Sequence, residues 1–588
     1  MPVQQPILSN FTSGEWSPKM NGRVDLEKYF NACEKLENFV LFPQGGVERR
    51  GGTRFINEVK TNSSAVRLVN FEFSVSQAYV LEFGNNYIRV YKDLGVVVSG
   101  GSPVEISTTY TSAQLDDLQF TQSADTLYIT HKDHYPSSLT RSSHTSWTLS
   151  NLAWSPAGSE PSEWTSGNYP QVVTFYEQRL WFAATPNEPQ TLWASKSGDY
   201  TNMTQGSADD DALEYTIATD QVNAIRWLNP GKVLVIGTAG GEFIASASSL
   251  DEALTPTNVK IVRQSNYGSA FLPSIRLSDT VLYVQRASRK LRQFIYAFES
   301  DSYVSTDLTL LADHITESGI KDMTRQSVPN EIIWAVLEDG SLVSLSYLRE
   351  QEVLAWAKHP FTGTDTSIES ITSIPSSEGI PFEEVWISVK RTIDGSTKRY
   401  IEVLRSGLSP TSAIEDSFYT DSGLSYEGSP VSSVSGLDHL EGETVSVLVD
   451  GTVHEDKVVT GGVIALNGSY SKVHAGLSFT SKLKTMNLEF AAPSGNTAQG
   501  KIKRISRVTV RFLRSLGGAI GSQEGNTDVF SFRSSADSMD SSVGLFTGDI
   551  TVPFRGGHET EGQIYLEQSQ PLPFTVLSLM PKVKTNME

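Results

Sequence analysis

A stretch with the spacing of a phosphate-binding loop lies at residues 495–501 (GNTAQGK). In such loops a Ser or Thr follows the lysine to reach Mg²⁺, and a helix begins there whose N-terminal amides hold the phosphate. Here Ile502 follows Lys501, and the next residues alternate between polar and apolar types as they do in a strand. The sequence therefore argues against nucleotide binding at this position.

The histidines give no pattern of a metal site. There are nine, and they are dispersed; His131 and His134 are the closest pair, in a segment that is not predicted to be helical. No HExxH sequence is present, and His558-Glu559 lacks a second histidine at the spacing that zinc binding on a helix requires. We interpret these histidines as residues of surface loops and predict no metal site.

Acidic residues cluster at Asp209-Asp210-Asp211, followed by Glu214. A calcium loop would need alternating oxygen ligands and a central glycine, and paired catalytic carboxylates would need a known spatial separation. The cluster is therefore interpreted as a solvated acidic turn. The sequence also lacks a Gly-x-Ser-x-Gly elbow and the repeated Ser-x-Asp-x-Gly boxes of many propeller glycosidases. We expect no enzyme activity, no catalytic residue and no cofactor.

The composition describes a folded, turn-rich protein. The chain has 588 residues, of which 38% are hydrophobic and 19% charged, with 45 Gly and 25 Pro. This length predicts two or more packed units, and frequent turns favour many short strands. The net charge of −20 opposes wrapping of nucleic acid, which normally draws on clustered Lys and Arg.

Cellular location is constrained by what the sequence does not contain. Cys33 is the only cysteine, so the chain can form neither an intrachain disulfide nor a thiolate metal cluster, which fits assembly in a reducing cytoplasm. The N-terminus has no signal-peptide pattern, and no apolar run approaches the roughly 20 residues that span a bilayer. We expect neither export by a signal peptide nor membrane insertion.

The elements that must position any site are mainly strands. One amphipathic helix is predicted over residues 24–40, where apolar residues recur at three- and four-residue steps. Seven groups of short strands follow at intervals of about 45–55 residues. They lie near residues 66–98, 118–149, 172–195, 224–248, 275–298, 332–356 and 385–404. This repetition predicts a β-propeller of about seven blades, although stacked β-sandwiches would give a similar pattern.

After residue 405 the strands become longer, and a β-sandwich-like platform is predicted, with Asp450-Gly451 as a turn. We therefore divide the chain into an N-terminal segment with the helix (1–64), a propeller-like domain (65–405) and a C-terminal β-rich platform (406–588). Within the platform, residues 507–512 place Val508, Val510 and Phe512 on one face, opposite Arg507, Thr509 and Arg511. This basic strand face is either solvated or in contact with a neighbouring subunit.

Several segments resemble a family of podophage tail proteins called tail tubular protein B, nozzle or stabilisation protein. They lie at residues 10–18 (NFTSGEWSP), 22–29, 37–39, 43–46, 49–55 (RRGGTRF), 185–189 (TPNEP), 266–270, 298–301 (FESD), 349–353 and 436–442. These stretches are spread over most of the chain, so the match is more specific than a single short motif.

The resemblance implies a structural virion protein that is assembled in the host cytoplasm and forms the distal tail tube. Six copies would form a ring below the tail adaptor, pass genomic DNA through the lumen without reading its sequence, and offer attachment sites for fibres or spikes. Arg49, Arg50 and Arg54, together with Arg507 and Arg511, would then lie at subunit or adaptor contacts.

Two other functions stay open at this stage. A receptor-binding or fibre-attachment tail protein would be an elongated trimer, often with fibrous repeats that the sequence lacks. A β-propeller glycan hydrolase would need a pair of pocket carboxylates, and the sequence nominates no such pair.

Overall fold

Strands make up nearly all of the regular structure. A computed structural model describes residues 3–219, 221–249, 252–376, 382–489, 498–533 and 543–585. Within these ranges the helices are seven short 3₁₀ helices. The chain divides into two units: unit 1 comprises residues 1–63, 323–373 and 380–588, and unit 2 comprises residues 64–322 and 374–379. The prediction of a mainly β chain is confirmed.

Six strands form the N-terminal part of unit 1: β1 (Val3–Gln4), β2 (Gly14–Glu15), β3 (Ala32–Glu37), β4 (Phe39–Leu41), β5 (Val47–Arg49) and β6 (Thr53–Glu58). Two 3₁₀ helices, Pro18–Met20 and Glu27–Asn31, lie between β2 and β3.

The prediction of a helix over residues 24–40 is wrong. Only Glu27–Asn31 is helical, and β3 and β4 follow it. Cys33 pairs with Thr485 in an antiparallel ladder, and Asn38, between β3 and β4, has a left-handed φ of 56° that no α-helix accepts. The apolar spacing of this segment is real, but pairing with a distant strand overrides the local preference.

Unit 2 contains five successive antiparallel sheets, which we call blades 1 to 5. Blade 1 has β7 (Arg67–Ser74), β8 (Gln77–Gly84), β9 (Tyr87–Lys92) and β10 (Gly95–Val96); β11 (Val98–Ser99) and β12 (Ser102–Pro103) form a separate hairpin, and β13 (Glu105–Ser107) pairs with β9. Blade 2 follows the 3₁₀ helix Ser112–Asp117 and has β14 (Gln119–Ser123), β15 (Thr126–His131), β16 (His134–Arg141) and β17 (Trp147–Asn151).

The other three blades each have four strands. Blade 3 has β18 (Val172–Tyr176), β19 (Arg179–Ala183), β20 (Thr191–Ala194) and β21 (Leu213–Thr216). Blade 4 has β22 (Ile225–Asn229), β23 (Leu234–Thr238), β24 (Gly241–Ser246) and β25 (Lys260–Ser265). Blade 5 has β26 (Ile275–Leu277), β27 (Thr280–Val284), β28 (Leu291–Ala297) and β29 (Ser302–Asp307), with the 3₁₀ helix Phe298–Ser300 between the last two.

Apolar cores between successive blades hold unit 2 together. A buried tryptophan stands in each: Trp147 between blades 1 and 2, Trp164 between blades 2 and 3, Trp181 between blades 3 and 4, and Trp227 between blades 4 and 5. A small antiparallel sheet can bury both faces only against its neighbours, and large aromatic rings supply much of the buried area. The prediction of a β-propeller-like fold is confirmed.

The last two predicted strand groups lie in the next seven strands, which extend into larger sheets of unit 1. The first set is β30 (Ile320–Gln326), β31 (Ile332–Leu337), β32 (Leu342–Leu348) and β33 (Val353–His359), which continues into β2 and β3. The second is β34 (Thr364–Pro375), β35 (Glu383–Ile393) and β36 (Ser396–Leu404), which continues into β6. The 3₁₀ helix Arg349–Gln351 connects β32 to β33.

The C-terminal strands complete three sheets of unit 1. They are β37 (Asp421–Ser435), β38 (Thr444–Val449), β39 (Thr452–Val458), β40 (Val463–Leu477), β41 (Ser481–Thr485), β42 (Lys503–Ser515), β43 (Ala519–Gln523), β44 (Asn526–Val529), β45 (Phe546–Pro553), β46 (Tyr565–Gln568) and β47 (Thr575–Thr585). The 3₁₀ helices Ile414–Asp416 and Asp438–Leu440 precede and follow β37. The three strand orders are β34-β35-β36-β6-β37-β40-β38-β39, β30-β31-β32-β33-β2-β3-β41-β46-β43-β44 and β4-β5-β47-β42-β45 with β1 on β47.

Two local predictions for this region are confirmed. On β42, Val508, Val510 and Phe512 are buried in an apolar core, as the alternation predicts. Asp450 and Gly451 join β38 to β39 with φ of 44° and 77°, the two positive values that a tight hairpin turn requires. In the described ranges, no helix has the length and apolar character needed to cross a bilayer.

Candidate functional site

Arg49 and Arg50 lie in the interior of unit 1. The Arg50 guanidinium forms two hydrogen bonds of 2.7 Å to the Asp421 carboxylate, and both side chains are fully buried. Arg49 donates to the carbonyl oxygens of Phe479 at 2.6 Å and Leu572 at 3.1 Å. Because both guanidinium groups are buried, they cannot contact a neighbouring subunit or an adaptor. The predicted contact of Arg49 and Arg50 with another subunit is therefore wrong, and both residues stabilise the interior of unit 1.

A second buried ion pair extends this network. Glu402 accepts hydrogen bonds from Thr53 at 2.5 Å and from Arg391 at 3.3 Å. The Thr53 hydroxyl in turn accepts from the backbone N–H of Ser422 at 2.8 Å, next to Asp421. Burial raises the pKa of Glu402, and Arg391 opposes that shift. The two pairs therefore connect β6, β35, β36 and β37 and stabilise the fold.

The other basic residues that the sequence singled out differ from these. Arg511 is exposed and forms two hydrogen bonds, of 2.8 and 2.9 Å, to Asp549 on the neighbouring strand β45. Arg507 is exposed and Arg54 is half-buried. A contact between these three arginines and another molecule stays a prediction.

The remaining sequence motifs form no catalytic site. Residues 495–497 lie outside the described residues, and β42 begins at Lys503 where a nucleotide loop would start a helix. The acidic turn at 209–211 binds the chain itself: Arg179 donates to the carbonyl oxygens of Asp209 and Asp211, each at 2.6 Å. Among the described residues, no three His, Cys, Asp or Glu side chains are grouped as metal ligands.

The interpretation of the histidines as surface-loop residues is wrong for several of them. His131, the last residue of β15, is buried, and His134, the first residue of β16, is half-buried. The Nδ1 of His131 accepts a hydrogen bond of 3.1 Å from the Asp133 backbone N–H. Burial lowers the pKa of both imidazoles, so they are neutral at pH 7.

A groove of about 560 Å³ lies beside these histidines, and we call it the tyrosine groove. Blade 1 and the connection that follows it contribute residues 107–110, blade 2 contributes 133–135, 137 and 149–151, and the connection to blade 3 contributes Ser166 and Tyr169. Tyr110 contacts His134 edge-to-face at 4.9 Å between ring centroids, and Tyr135 contacts Tyr169 in the same way at 5.4 Å. Two aromatic pairs thus stand in a wall whose other side chains, apart from Leu149, are small and polar.

Hydrogen bonds fix the rings of the groove. His134 contacts Gln114 through Nε2 at 3.1 Å and Thr109 through Nδ1 at 3.2 Å. The Tyr135 hydroxyl accepts from Trp154 Nε1 at 2.7 Å and donates to Glu160 at 3.1 Å. The groove therefore has a preformed shape.

A second candidate is a set of exposed apolar side chains on β25, the outer strand of blade 4, and at the end of β28 in blade 5. We call Val262, Tyr296 and Phe298 the rim patch; their exposed fractions are 37%, 45% and 87%. Val262 pairs with Ile244, and both Ile244 and Tyr303 pack against the apolar core between the two blades. Exposed aromatic side chains such as Tyr296 and Phe298 are typical of protein contact surfaces.

The rim patch stands on a rigid base. Tyr303 stacks on buried Phe294 at 5.0 Å and meets Tyr296 edge-to-face at 5.5 Å. The Tyr296 hydroxyl donates to Asp301 at 2.6 Å, which fixes the turn that exposes Phe298. Sequence reasoning missed this surface and the groove tyrosines. The available signal was Phe298 itself, an aromatic residue in a polar turn (FESD).

Comparisons with known proteins give no family. No family model and no curated protein matches the chain. Similar solved structures include the WD40 repeats of RRP9 (8% identity, TM-score 0.36, 61% of this chain and 100% of that chain) and Raptor of Chaetomium thermophilum (10%, 0.37, 62% and 30%). The WD40 domain of Neurospora crassa Pan2 is another (6%, 0.34, 60% and 92%). Likeness at this level concerns the propeller-like fold alone.

The resemblance to podophage tail nozzles is corrected by these comparisons, because no family model matches and the similar solved structures are WD40-repeat proteins. Together with this resemblance we withdraw the predictions that depended on it. They are the hexameric ring, the adaptor and fibre partners, the DNA lumen, the virion location and the alternative tail or hydrolase functions. The segments that carried the resemblance have roles inside this chain. Trp16 is buried, and Arg49 and Arg50 belong to the interior of unit 1.

Proposed function

We propose that this chain is a non-catalytic scaffold that binds a partner protein through the rim patch. The observation that carries the proposal is Phe298, whose side chain is 87% exposed beside Tyr296 on a base of stacked rings. Exposing an aromatic ring to water is unfavourable, and burying one in a partner contributes more than its share of binding free energy.

The charges around the patch define the chemistry of the partner. Glu299 and Asp301 follow Phe298 in the same turn, and both are exposed. A partner segment that places an apolar side chain over Phe298 and a Lys or Arg beside it would satisfy both features. Complementary charge at the rim of such a contact mainly raises the association rate and selects the partner.

A scaffold role also agrees with where the ionisable side chains lie. Arg50, Asp421, Arg391 and Glu402 are engaged with one another in the interior of unit 1. The tyrosine groove has one carboxylate in its wall, that of Asp133, so the paired acid and base of a hydrolase are not present among its lining residues. We therefore propose that the chain binds without catalysing a reaction.

Site-specific photo-crosslinking tests the proposal. A photoreactive phenylalanine analogue replaces Phe298 in the full chain, expressed in the cells from which the sequence comes. The matched control carries the analogue at Val75, which is also 87% exposed and lies in the hairpin between β7 and β8. We expect one partner protein at position 298 that is absent at position 75. The crosslinked partner peptide should contain an apolar residue next to Lys or Arg.

The purified partner then gives a quantitative test. Phe298→Ala should weaken its binding by about tenfold to a hundredfold, and Val75→Ala should leave it unchanged. Crosslinking to the same proteins at both positions, or equal affinity of Phe298→Ala and the unaltered chain, would refute the rim patch as a binding surface.

A further inference from the structure

We propose that the tyrosine groove binds a neutral, polyhydroxylated ligand, namely a segment of an uncharged oligosaccharide. This site lies between blades 1 and 2, whereas the rim patch lies on blades 4 and 5, so the inference goes beyond the scaffold function and does not depend on it. Three properties of the groove carry it: its charge, its hydrogen-bonding groups and its aromatic surfaces.

The charge of the groove excludes anionic ligands. No Lys or Arg stands among its lining residues, and Asp133 is the one carboxylate there. His134 contributes no positive charge at pH 7, because burial lowers its pKa. A phosphate or a carboxylate would be buried without a counter-ion, which is unfavourable. The wall therefore suits a ligand without charge.

The hydrogen-bonding groups of the wall match hydroxyl groups. Ser107, Thr109, Ser150 and Ser166 present side chains that both donate and accept, and Asn151 adds an amide with both functions. A sugar hydroxyl is likewise a donor and an acceptor, so it can pair with each of these groups. The only aliphatic side chain in the wall belongs to a single leucine, which disfavours a lipid or another apolar ligand.

The aromatic side chains supply the apolar surface that a sugar ring needs. Sugar rings carry C–H groups on one face, and that face packs on an aromatic ring. Tyr169 and Tyr135, which are both half-buried, form such a surface, and the half-buried His134 imidazole adds a ring that buried Tyr110 holds edge-to-face. The groove volume of about 560 Å³ falls within the roughly 300–1,000 Å³ typical of ligand sites. Because the rings are already fixed, little ordering is needed on binding.

The experiment uses the full chain and defined probes. Isothermal titration calorimetry and saturation-transfer NMR measure binding of four neutral hexasaccharides: maltohexaose, cellohexaose, xylohexaose and mannohexaose. A galacturonic acid hexamer tests the effect of charge, and a hexapeptide of Ser and Gly tests the alternative that the groove binds an extended polar peptide. We expect saturable binding of at least one neutral hexasaccharide, with millimolar or tighter affinity, and no binding of the other two probes.

Variants then locate the binding. Tyr169→Ala removes one ring surface and should weaken binding by about tenfold. Ser166→Trp fills the exposed mouth of the groove without altering the core and should abolish binding. Tyr215→Ala removes a tyrosine of blade 3 outside the groove and should have no effect. Thermal unfolding verifies that each variant is folded.

Each remaining outcome overturns the proposal. Absence of binding by all four neutral hexasaccharides would do so, as would preferential binding of the charged hexamer or the peptide. Binding that survives both Tyr169→Ala and Ser166→Trp would place the sugar elsewhere. Because Phe298→Ala leaves the groove intact, that variant should keep full sugar affinity, and the two proposals can fail separately.

Discussion

Replacing Asp421 by Asn tests the role of the buried ion pair most sharply. The change keeps the shape of the side chain but removes its charge and turns one acceptor into a donor. That amide N–H₂ would then face the Arg50 guanidinium, which now donates two hydrogen bonds of 2.7 Å to the carboxylate. Removing one partner of a buried pair leaves an uncompensated charge and costs about 3–5 kcal/mol in the free energy of unfolding.

The chain contains a matched control for this variant. Arg511 and Asp549 form the same two-hydrogen-bond pair at the surface, where 49% and 41% of their side chains are exposed. Asp549→Asn should leave the free energy of unfolding almost unchanged, because solvent screens an exposed pair. The two variants therefore make the same chemical change at opposite extremes of burial.

Because the chain has two units, local stability should be measured rather than a single global transition. Hydrogen exchange followed by mass spectrometry gives the opening free energy of peptides from β6 and β37, which flank the buried pair. Faster exchange in those peptides for Asp421→Asn, but not for Asp549→Asn, is the expected result. Equal effects of the two substitutions would refute the argument that burial makes the Arg50 pair essential.

Two further predictions concern unit 1. Burial raises the pKa of Glu48 to about 8 against the opposing effect of Arg514, so the folded chain holds a proton there that the unfolded chain releases near its ordinary value of 4.5. The contribution of Glu48 to stability should therefore fall as pH rises from about 4.5 to about 8. In urea titrations across this range, the unaltered chain should lose a few kcal/mol relative to Glu48→Gln, and an equal pH dependence of the two chains would contradict the shift. At Gly52 a Cβ would collide with the Thr420 backbone, so Gly52→Ala should lower the melting temperature by several degrees or prevent folding. A Cβ at Gly22 would lie in open space, so Gly22→Ala should leave the melting temperature unchanged. Equal melting temperatures for the two glycine variants would show that the backbone adjusts freely.

Sequence reasoning succeeded where the structure follows a local rule. The alternation along β42 places Val508 and Phe512 in a core because a strand has a strict two-residue period. Positive φ at Asp450 follows from the preference of Asp-Gly for tight hairpins. The repeat of short strands likewise predicts blades, because such sheets need neighbours to bury their faces.

Sequence reasoning failed where the structure depends on pairing with a distant strand or on burial. The helical spacing around Cys33 gave way to a ladder with residues some 450 positions later, and nothing local encodes that partner. Arg49 and Arg50 look like surface charges in a basic, glycine-rich stretch. Their aromatic and carbonyl partners come from distant parts of the sequence. The tyrosine groove was missed for the same reason, since four separate segments form its wall.

The pairing of β6 with β36 has a consequence for synthesis on the ribosome. β6 ends at Glu58, but its antiparallel partner is complete only at Leu404. At about 5–20 residues per second, β6 waits roughly 20–70 s for that partner. Blades 1 to 5 are translated in this interval, and each can pack on the preceding blade as it emerges. Until then the N-terminal strands leave the ribosome with unpaired edges, and they are the part of the nascent chain most exposed to wrong pairing.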